Sequence, residues 1–233
     1  MIDAMAADHA AQHTDPSGTT EPSLETLVAR ARDLVAAATT SDRRILGITG
    51  SPGAGKSTLA TTIVRALGSD AVYLPMDGYH LAQAELERLG RADRKGAPDT
   101  FDGAGFVALL RRLRSEETGP VYAPAFERSI EEPIAGAIGV FPDVPLVVTE
   151  GIYLLLDTPP WTEVRSLLDE AWFVDLDPEV RLARLIERHI RFGRTPDAAR
   201  EWVMRSDEAN ARLVERTMGR ADLVVREVPA RWP

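Results

Sequence analysis

The sequence predicts an α/β fold with a parallel core sheet of five strands, and three observations carry that prediction. A glycine-rich loop, Gly50-Ser51-Pro52-Gly53-Ala54-Gly55-Lys56-Ser57, fits G-x-x-x-x-G-K-[ST] and lies between a strand-like and a helix-like run. Four more short apolar runs follow, near residues 72, 146, 171 and 222, with helical periodicity between them. Two of these runs end in a carboxylate, Asp77 and Glu150. Strand ends are where open α/β sheets bind ligands.

Composition bounds the rest. A chain of 233 residues is long enough for one sizeable core. Its 27 basic and 36 acidic side chains leave a formal net charge of −9. That balance argues against a nucleic-acid coat and a membrane-surface protein. There is no cysteine, so disulfides, thiolate catalysis and cysteine-ligated metal are excluded. No apolar run approaches the ~20 residues of a membrane span. The N-terminus lacks the basic-then-apolar pattern of a secretory signal. A cytoplasmic enzyme is expected, with neither nucleic acid nor membrane as partner.

Taken in order, residues 1–20 carry no apolar period and are expected to form a disordered tail. Residues 21–233 then form a single domain. Ser23 is an N-cap for a helix whose Leu24, Leu27, Val28, Ala31, Leu34, Val35 and Ala38 share one face. Residues 45–49 are the first strand, and 58–67 the helix after the loop, with Leu59, Ile63, Val64 and Leu67 inward. Residues 71–76 are the second strand. Residues 81–90 read as a helix, 91–100 as polar turns, and 101–115 as a helix with Phe106, Leu109, Leu110 and Leu113 inward. Residues 121–140 read as a Pro-, Gly- and aromatic-rich excursion with one short strand near its end. Long ordered insertions at the ligand end of a sheet usually shape a substrate pocket. Residues 145–151 and 171–176 are the third and fourth strands. Asp177-Pro178 caps a basic helix on which Arg184, Arg188 and Arg191 share a face. Residues 196–218 read as one further helix and 222–225 as the fifth strand.

The glycine-rich loop has the clearest chemistry. Gly50, Gly53 and Gly55 let the backbone approach a ligand. The cradle Gly50, Ser51, Pro52, Gly53, Ala54, Gly55, Lys56, Ser57 and Thr58 ends at a helix N-terminus, where N–H groups and dipole favour an anion. Lys56 would reach the outer phosphates of a nucleoside triphosphate. The Ser57 hydroxyl would bind Mg²⁺, and Glu150 would hold the same ion directly or through water. By position alone, Asp77 reads equally as a ligand-end carboxylate and as a turn residue. A basic run like Arg181 to Arg194 is usually a solvated face. Its density in an acidic chain and the Phe192-Gly193-Arg194 hinge also fit a flap that closes over phosphate.

Four stretches together resemble the uridine kinase, pantothenate kinase and phosphoribulokinase family of P-loop kinases. They are Gly50 to Ser57, Met76-Asp77-Gly78-Tyr79-His80, Arg94-Lys95-Gly96-Ala97-Pro98-Asp99-Thr100-Phe101-Asp102, and Val147-Val148-Thr149-Glu150-Gly151. The resemblance spans about residues 44–226. It implies a P-loop NTPase three-layer sandwich with strand order 2-3-1-4-5 and a helical flap. It also implies ATP and Mg²⁺ as cofactors and a small-molecule acceptor, nucleoside-, pantothenate- or sugar-like; a homodimer is allowed. By the same resemblance Asp77 is the catalytic base, and Ser57 and Glu150 are magnesium-site residues. Arg188 and Arg194 are flap arginines that approach the phosphates on closure. Tyr79, His80, Arg94, Tyr122 and Arg128 fall at substrate-pocket positions. One departure bears on the acceptor: where uridine kinases carry an acidic residue that holds the ribose diol, this chain has Gly96.

Other nucleotide-binding classes fit less well. A GTPase switch needs Asn-Lys-x-Asp, and the one asparagine is Asn210, within Glu-Ala-Asn-Ala. A transporter-type ATPase needs a Ser-Gly-Gly signature, which is absent. A P-loop nucleotide-sensing or ATPase module without an acceptor would keep every motif and stands as the alternative.

Overall fold

The computed structural model describes residues 22–39, 42–115 and 119–226; the expected tail at 1–20 lies outside them. Among the described residues the strands are β1 (Arg44–Gly50), β2 (Ala71–Pro75), β3 (Val121–Glu127), β4 (Glu132–Val140), β5 (Leu146–Glu150), β6 (Glu170–Asp175) and β7 (Leu223–Arg226). Five of them form a parallel sheet in the order β2-β5-β1-β6-β7. Counted among parallel strands alone, that order is 2-3-1-4-5. The labels shift because the antiparallel pair β3–β4 stands between the second and third.

Side chains alternate across each strand, so successive residues enter opposite cores. Ile45, Val147, Ala171 and Phe173 face one hydrophobic cluster; Leu46, Leu146, Val148, Trp172 and Val174 face the other. Helices α1 (Leu24–Ala37) and α2 (Lys56–Leu67) close the second face with Leu27, Ala31, Leu59 and Ile63. The short α3 (Gln83–Arg88) follows β2. On the first face, α4 (Gly103–Arg114) supplies Phe106, Val107, Leu109 and Leu110, and the hairpin adds Val121, Ala123 and Val140. A sheet buried on both faces needs apolar residues at every position, which is why its strands read as continuous apolar runs.

The remaining helices are α5 (Val164–Leu167), α6 (Pro178–Arg191), α7 (Pro196–Trp202) and α8 (Glu208–Glu215). Two expectations are corrected here. Residues 121–140 form a two-stranded hairpin rather than an irregular excursion. Its prolines hide it: Pro124 sits where the register shifts between Ala123 and Ala125, a bulge position at which a missing N–H is tolerated. Residues 196–218 form two helices rather than one. A π-helical segment, Val203–Asp207, separates α7 from α8 and rotates the residues that follow it.

The hairpin is pinned at both ends of its approach. A Cβ at Gly78 would lie 2.3 Å from the carbonyl oxygen of Pro124, so only glycine lets β3 lie against the turn after β2. At the far end, the Glu132 carboxylate accepts from the first N–H of α3, that of Gln83, at 3.1 and 3.3 Å. The hairpin thereby walls the C-terminal end of the sheet.

Candidate active site

The loop after β1 delivers backbone donors to one point. Gly53 has φ +81°, and a Cβ there would lie 2.7 Å from Leu185 Cγ of α6. Gly55, at φ 101°, caps α2 with no side chain. The first turn of α2 holds no acidic residue, so its N–H groups and positive dipole end are left for an anion. Lys56 is buried there, and its Nζ donates to the Ser51 carbonyl at 3.1 Å. Burial pushes its pKa down to about 8.

Glu150 ends β5 beside it. Its Oε1 accepts from the Ser57 hydroxyl at 3.0 Å and from the Tyr73 hydroxyl at 2.8 Å. Burial pushes the Glu150 carboxyl up, and the Asp77 charge adds to the rise. Lys56 and Glu150 attract each other, yet burial drives each towards its neutral form. A divalent cation and phosphates would reverse both shifts. Among the described residues no group of three or more His, Cys, Asp or Glu could hold a metal. Mg²⁺ takes one or two hard protein oxygens and completes its shell with water and phosphate. Ser57 Oγ and Glu150 Oε1 fit that donor set.

Two cavities meet at this point. One, of about 460 Å³, runs from Gly53, Gly55 and Thr58 along Arg184, Leu185 and Arg191 of α6. The other, of about 540 Å³, extends past Asp77, His80 and Glu150 to the hairpin residues Phe126 and Arg128. Gly53, Lys56, Ser57 and Arg188 line both.

Asp77 stands in the second cavity only, on the turn Met76–Tyr79 that follows β2. Its Oδ2 accepts from the Arg128 guanidinium at 3.0 Å. His80 Nδ1 donates to the Asp77 carbonyl at 2.8 Å, and its ring packs on Phe101 and Phe126 at 4.0 and 4.9 Å. Burial pushes the His80 imidazole down, towards the neutral form. The far wall comes from α6 to α8. His189 Nε2 meets Asp207 Oδ2 at 2.9 Å, and Arg194 lies 4.2 Å over the Trp202 ring. Asn210 Nδ2 donates to the Gly96 carbonyl at 3.2 Å, as does the Tyr153 hydroxyl at 2.6 Å. Gly96 itself has φ +101°.

Several expected site residues are therefore gathered: Pro52, Gly53, Gly55, Lys56, Ser57, Thr58, Asp77, His80, Arg128, Glu150, Arg188 and Arg194 all line the cavities. Gly50, Ser51 and Ala54 line neither; they form the buried underside of the loop, where the Ser51 carbonyl positions Lys56. Tyr79, Arg94 and Tyr122 are corrected. Tyr79 packs edge-on against Phe106 at 5.4 Å, and burial pushes its phenol up to about 12. Arg94 faces outward and pairs with Asp99 at 2.8 Å. Tyr122 is 57 % exposed on the outer face of the hairpin. The alternation of β3 turns it away, because Val121 and Ala123 on either side are buried. Arg188 lines both cavities, at their junction, with its side chain still exposed.

A family model described as the phosphoribulokinase / uridine kinase family matches residues 45–232. The chain belongs to that family. An ATP-dependent kinase-like protein of Aspergillus versicolor is 38% identical over 167 residues, which are 67% of this chain and 95% of that one. A provisionally assigned uridine kinase of Schizosaccharomyces pombe is 34% identical over 197 residues, 80% of this chain and 84% of that one. A solved structure from Silicibacter sp. TM1040, provisionally assigned as a fructose transport system kinase, has a TM-score of 0.78 at 35% identity. It covers 91% of this chain and 99% of its own. Membership in a P-loop kinase family implies use of ATP and Mg²⁺ and a small-molecule substrate. Among the described residues no helix is long and apolar enough to cross a membrane.

Sequence reasoning missed Tyr73, which holds Glu150, and the wall residues Lys95, Phe126, Trp202 and Asp207. Tyr73 carried one signal: it is a polar group inside an otherwise apolar strand. Lys95 lies inside one of the stretches that carry the family resemblance, whereas Phe126, Trp202 and Asp207 come to the site only through the hairpin and the π segment.

Proposed function

We propose that residues 21–233 act as one kinase domain that transfers the γ-phosphate of MgATP to a hydroxyl of a small molecule. One observation carries this reading. The two cavities share Lys56, Ser57 and Arg188, and Asp77 faces that junction from the second cavity alone. A triphosphate lying on the loop would end at the junction, and an acceptor in the second cavity would meet it there, between Lys56 and Asp77.

Asp77 takes the proton of the acceptor hydroxyl. The hydroxyl oxygen bonds to the γ-phosphorus as the bond to the β,γ-bridging oxygen breaks, and ADP leaves with that electron pair. Lys56 and Arg188 offset the charge that spreads over the transferring group. Mg²⁺ held at Ser57 and Glu150 would add to that neutralisation. Tyr73 keeps Glu150 turned towards Ser57. Catalysis here is positioning and electrostatics, so no nucleophilic side chain is required.

The acceptor carries an alcohol. Gly96 offers no carboxylate to a ribose diol, and its φ of +101° disfavours any other residue there. The test is a screen that couples ADP release to nucleosides, pantothenate, sugars and pentose phosphates. Acceptor-dependent ADP release is expected from at least one class. ADP release that no acceptor changes would make the chain an ATPase or a nucleotide sensor.

A further inference from the structure

We propose that Lys95 and Arg128 form an anion clamp beside Asp77, so that the acceptor carries a carboxylate or phosphate close to the hydroxyl it presents. This rests on the kinase reading above. Both cations line the acceptor cavity, and both close on one ring. Lys95 Nζ lies 5.3 Å from the Phe126 centroid, and the Arg128 guanidinium carbon lies 5.6 Å from it. Both cations thus lie within about 6 Å of one ring in the wall of this cavity.

Neither cation is neutralised by a carboxylate that stays with it during transfer. Lys95 Nζ donates to a backbone carbonyl, that of Glu131, at 2.8 Å. Arg128 donates to Asp77, the group that must turn to the acceptor hydroxyl. The other carboxylates on this wall are engaged elsewhere or exposed. Asp207 meets His189, Glu150 meets Ser57 and Tyr73, and Glu131 stands exposed at the hairpin tip. A neutral polyol would bring neither cation an opposite charge. An anion would gain charge-assisted hydrogen bonds from both, with Arg128 able to bind two oxygens at once.

Spacing narrows the ligand further. Arg128 Nη2 and Asp77 Oδ2 are 3.0 Å apart. A molecule that inserts between them must offer its anion to one and its hydroxyl to the other. The two groups are therefore only a few bonds apart, as in a hydroxy acid or a small sugar phosphate.

The test separates binding from turnover. The protein is saturated with Mg²⁺ and a β,γ-methylene ATP analogue, so that the loop and γ position are filled. Inorganic phosphate is then titrated in by calorimetry. Lys95→Gln and Arg128→Gln should each weaken phosphate about tenfold or more. Arg94→Gln, whose side chain faces outward, should leave it unchanged. Absence of phosphate binding in the wild type, or equal binding in the Lys95 and Arg128 variants, overturns the clamp. In turnover, glycerate is compared with glycerol, and ribose 5-phosphate with ribose. Higher kcat/KM for the anionic partner of either pair supports the clamp. Preference for the neutral partners overturns it and leaves the kinase reading standing. Clamp-dependent phosphate binding with no ADP release from any acceptor would sustain the anion site and sink the kinase reading.

Discussion

At the nucleotide end of the cavity, the glycine-rich loop presents backbone N–H donors and the buried Lys56, with Ser57 and Arg188 open beside them; at the acceptor end Asp77 and Arg128 are half-exposed side chains on a turn and a hairpin. Lys56 is 7% exposed, whereas the Asp77 and Arg128 side chains are 34% and 48% exposed. A buried cation held at a carbonyl has one position; an exposed guanidinium has many. The first arrangement suits a phosphate chain that is the same for every member of a kinase family. The second suits recognition of a variable acceptor, and it is where related folds can differ without disturbing the transfer point.

Breaking the nucleotide end should have the largest effect. Lys56→Ala is expected to lower kcat by roughly 10³-fold, the upper scale for removing one preorganised group from a charge-stabilising site. The fold should survive, because the lysine charge is itself opposed by burial. Its folded pKa of about 8 lies below the ordinary 10.5. The unfolded chain therefore binds the extra proton between those values, and the buried charge weakens the fold below pH 8 and ceases to do so as pH rises through that window. Circular dichroism melts should show little loss at pH 7, and an unfolded variant would assign Lys56 to structure instead.

Asp77→Asn comes next and strikes the junction of the two ends. It keeps the shape of the side chain and removes the base, so acceptor phosphorylation should fall roughly 10²-fold while ATP affinity holds. Single-turnover kinetics with the acceptor found by screening would measure it, and a wild-type rate would leave Asp77 as a turn residue only. Arg188→Ala should lower kcat more than it weakens ATP, since the charge it meets develops during transfer. A change in ATP affinity alone would move it to ground-state binding.

The same contrast explains which parts of the molecule are legible in its sequence. The loop, its flanking strand and helix, and the strand ends at Asp77 and Glu150 are local facts of spacing, and the sheet order followed from the family pattern. Tyr122 and Arg94 failed for non-local reasons. Matching a motif placed them at a pocket, but strand alternation turned Tyr122 outward and Asp99 drew Arg94 to the surface. Lys95, next to Arg94, went unnoticed because only the folded hairpin brings Phe126 and Glu131 to it.

The nucleotide end can also be sharpened without a mutation. Burial pushes the Lys56 pKa down to about 8, and phosphate oxygens would raise it again. At pH 8.5 most molecules without nucleotide should carry a neutral Lys56, and those with nucleotide a charged one. ATP binding in the absence of Mg²⁺ should then take up roughly half a proton or more, falling towards zero near pH 7. Calorimetry in two buffers of different ionisation enthalpy reads this directly. No uptake at pH 8.5 would mean that Lys56 is charged before the nucleotide arrives.

The smallest expected effect tests the other end. Arg94→Ala and Tyr122→Ala sit within a few residues of Lys95 and Phe126, and a reading by motif would have them bind the acceptor. Their side chains are outside the cavity: Arg94 is in an exposed pair with Asp99, and Tyr122 is on the open face of β3. Exposed pairs of this kind contribute about 1 kcal/mol or less to stability. Each variant should therefore keep the acceptor KM and kcat within about twofold, the range of surface changes that touch no ligand. Steady-state kinetics beside Lys95→Gln as the positive control would show the contrast on one substrate. A tenfold rise in KM for Tyr122→Ala, with kcat unchanged, would mean that the hairpin folds over the acceptor and brings its outer face into the site. The acceptor end would then be a moving wall, and its half-exposed side chains would be parts of a lid.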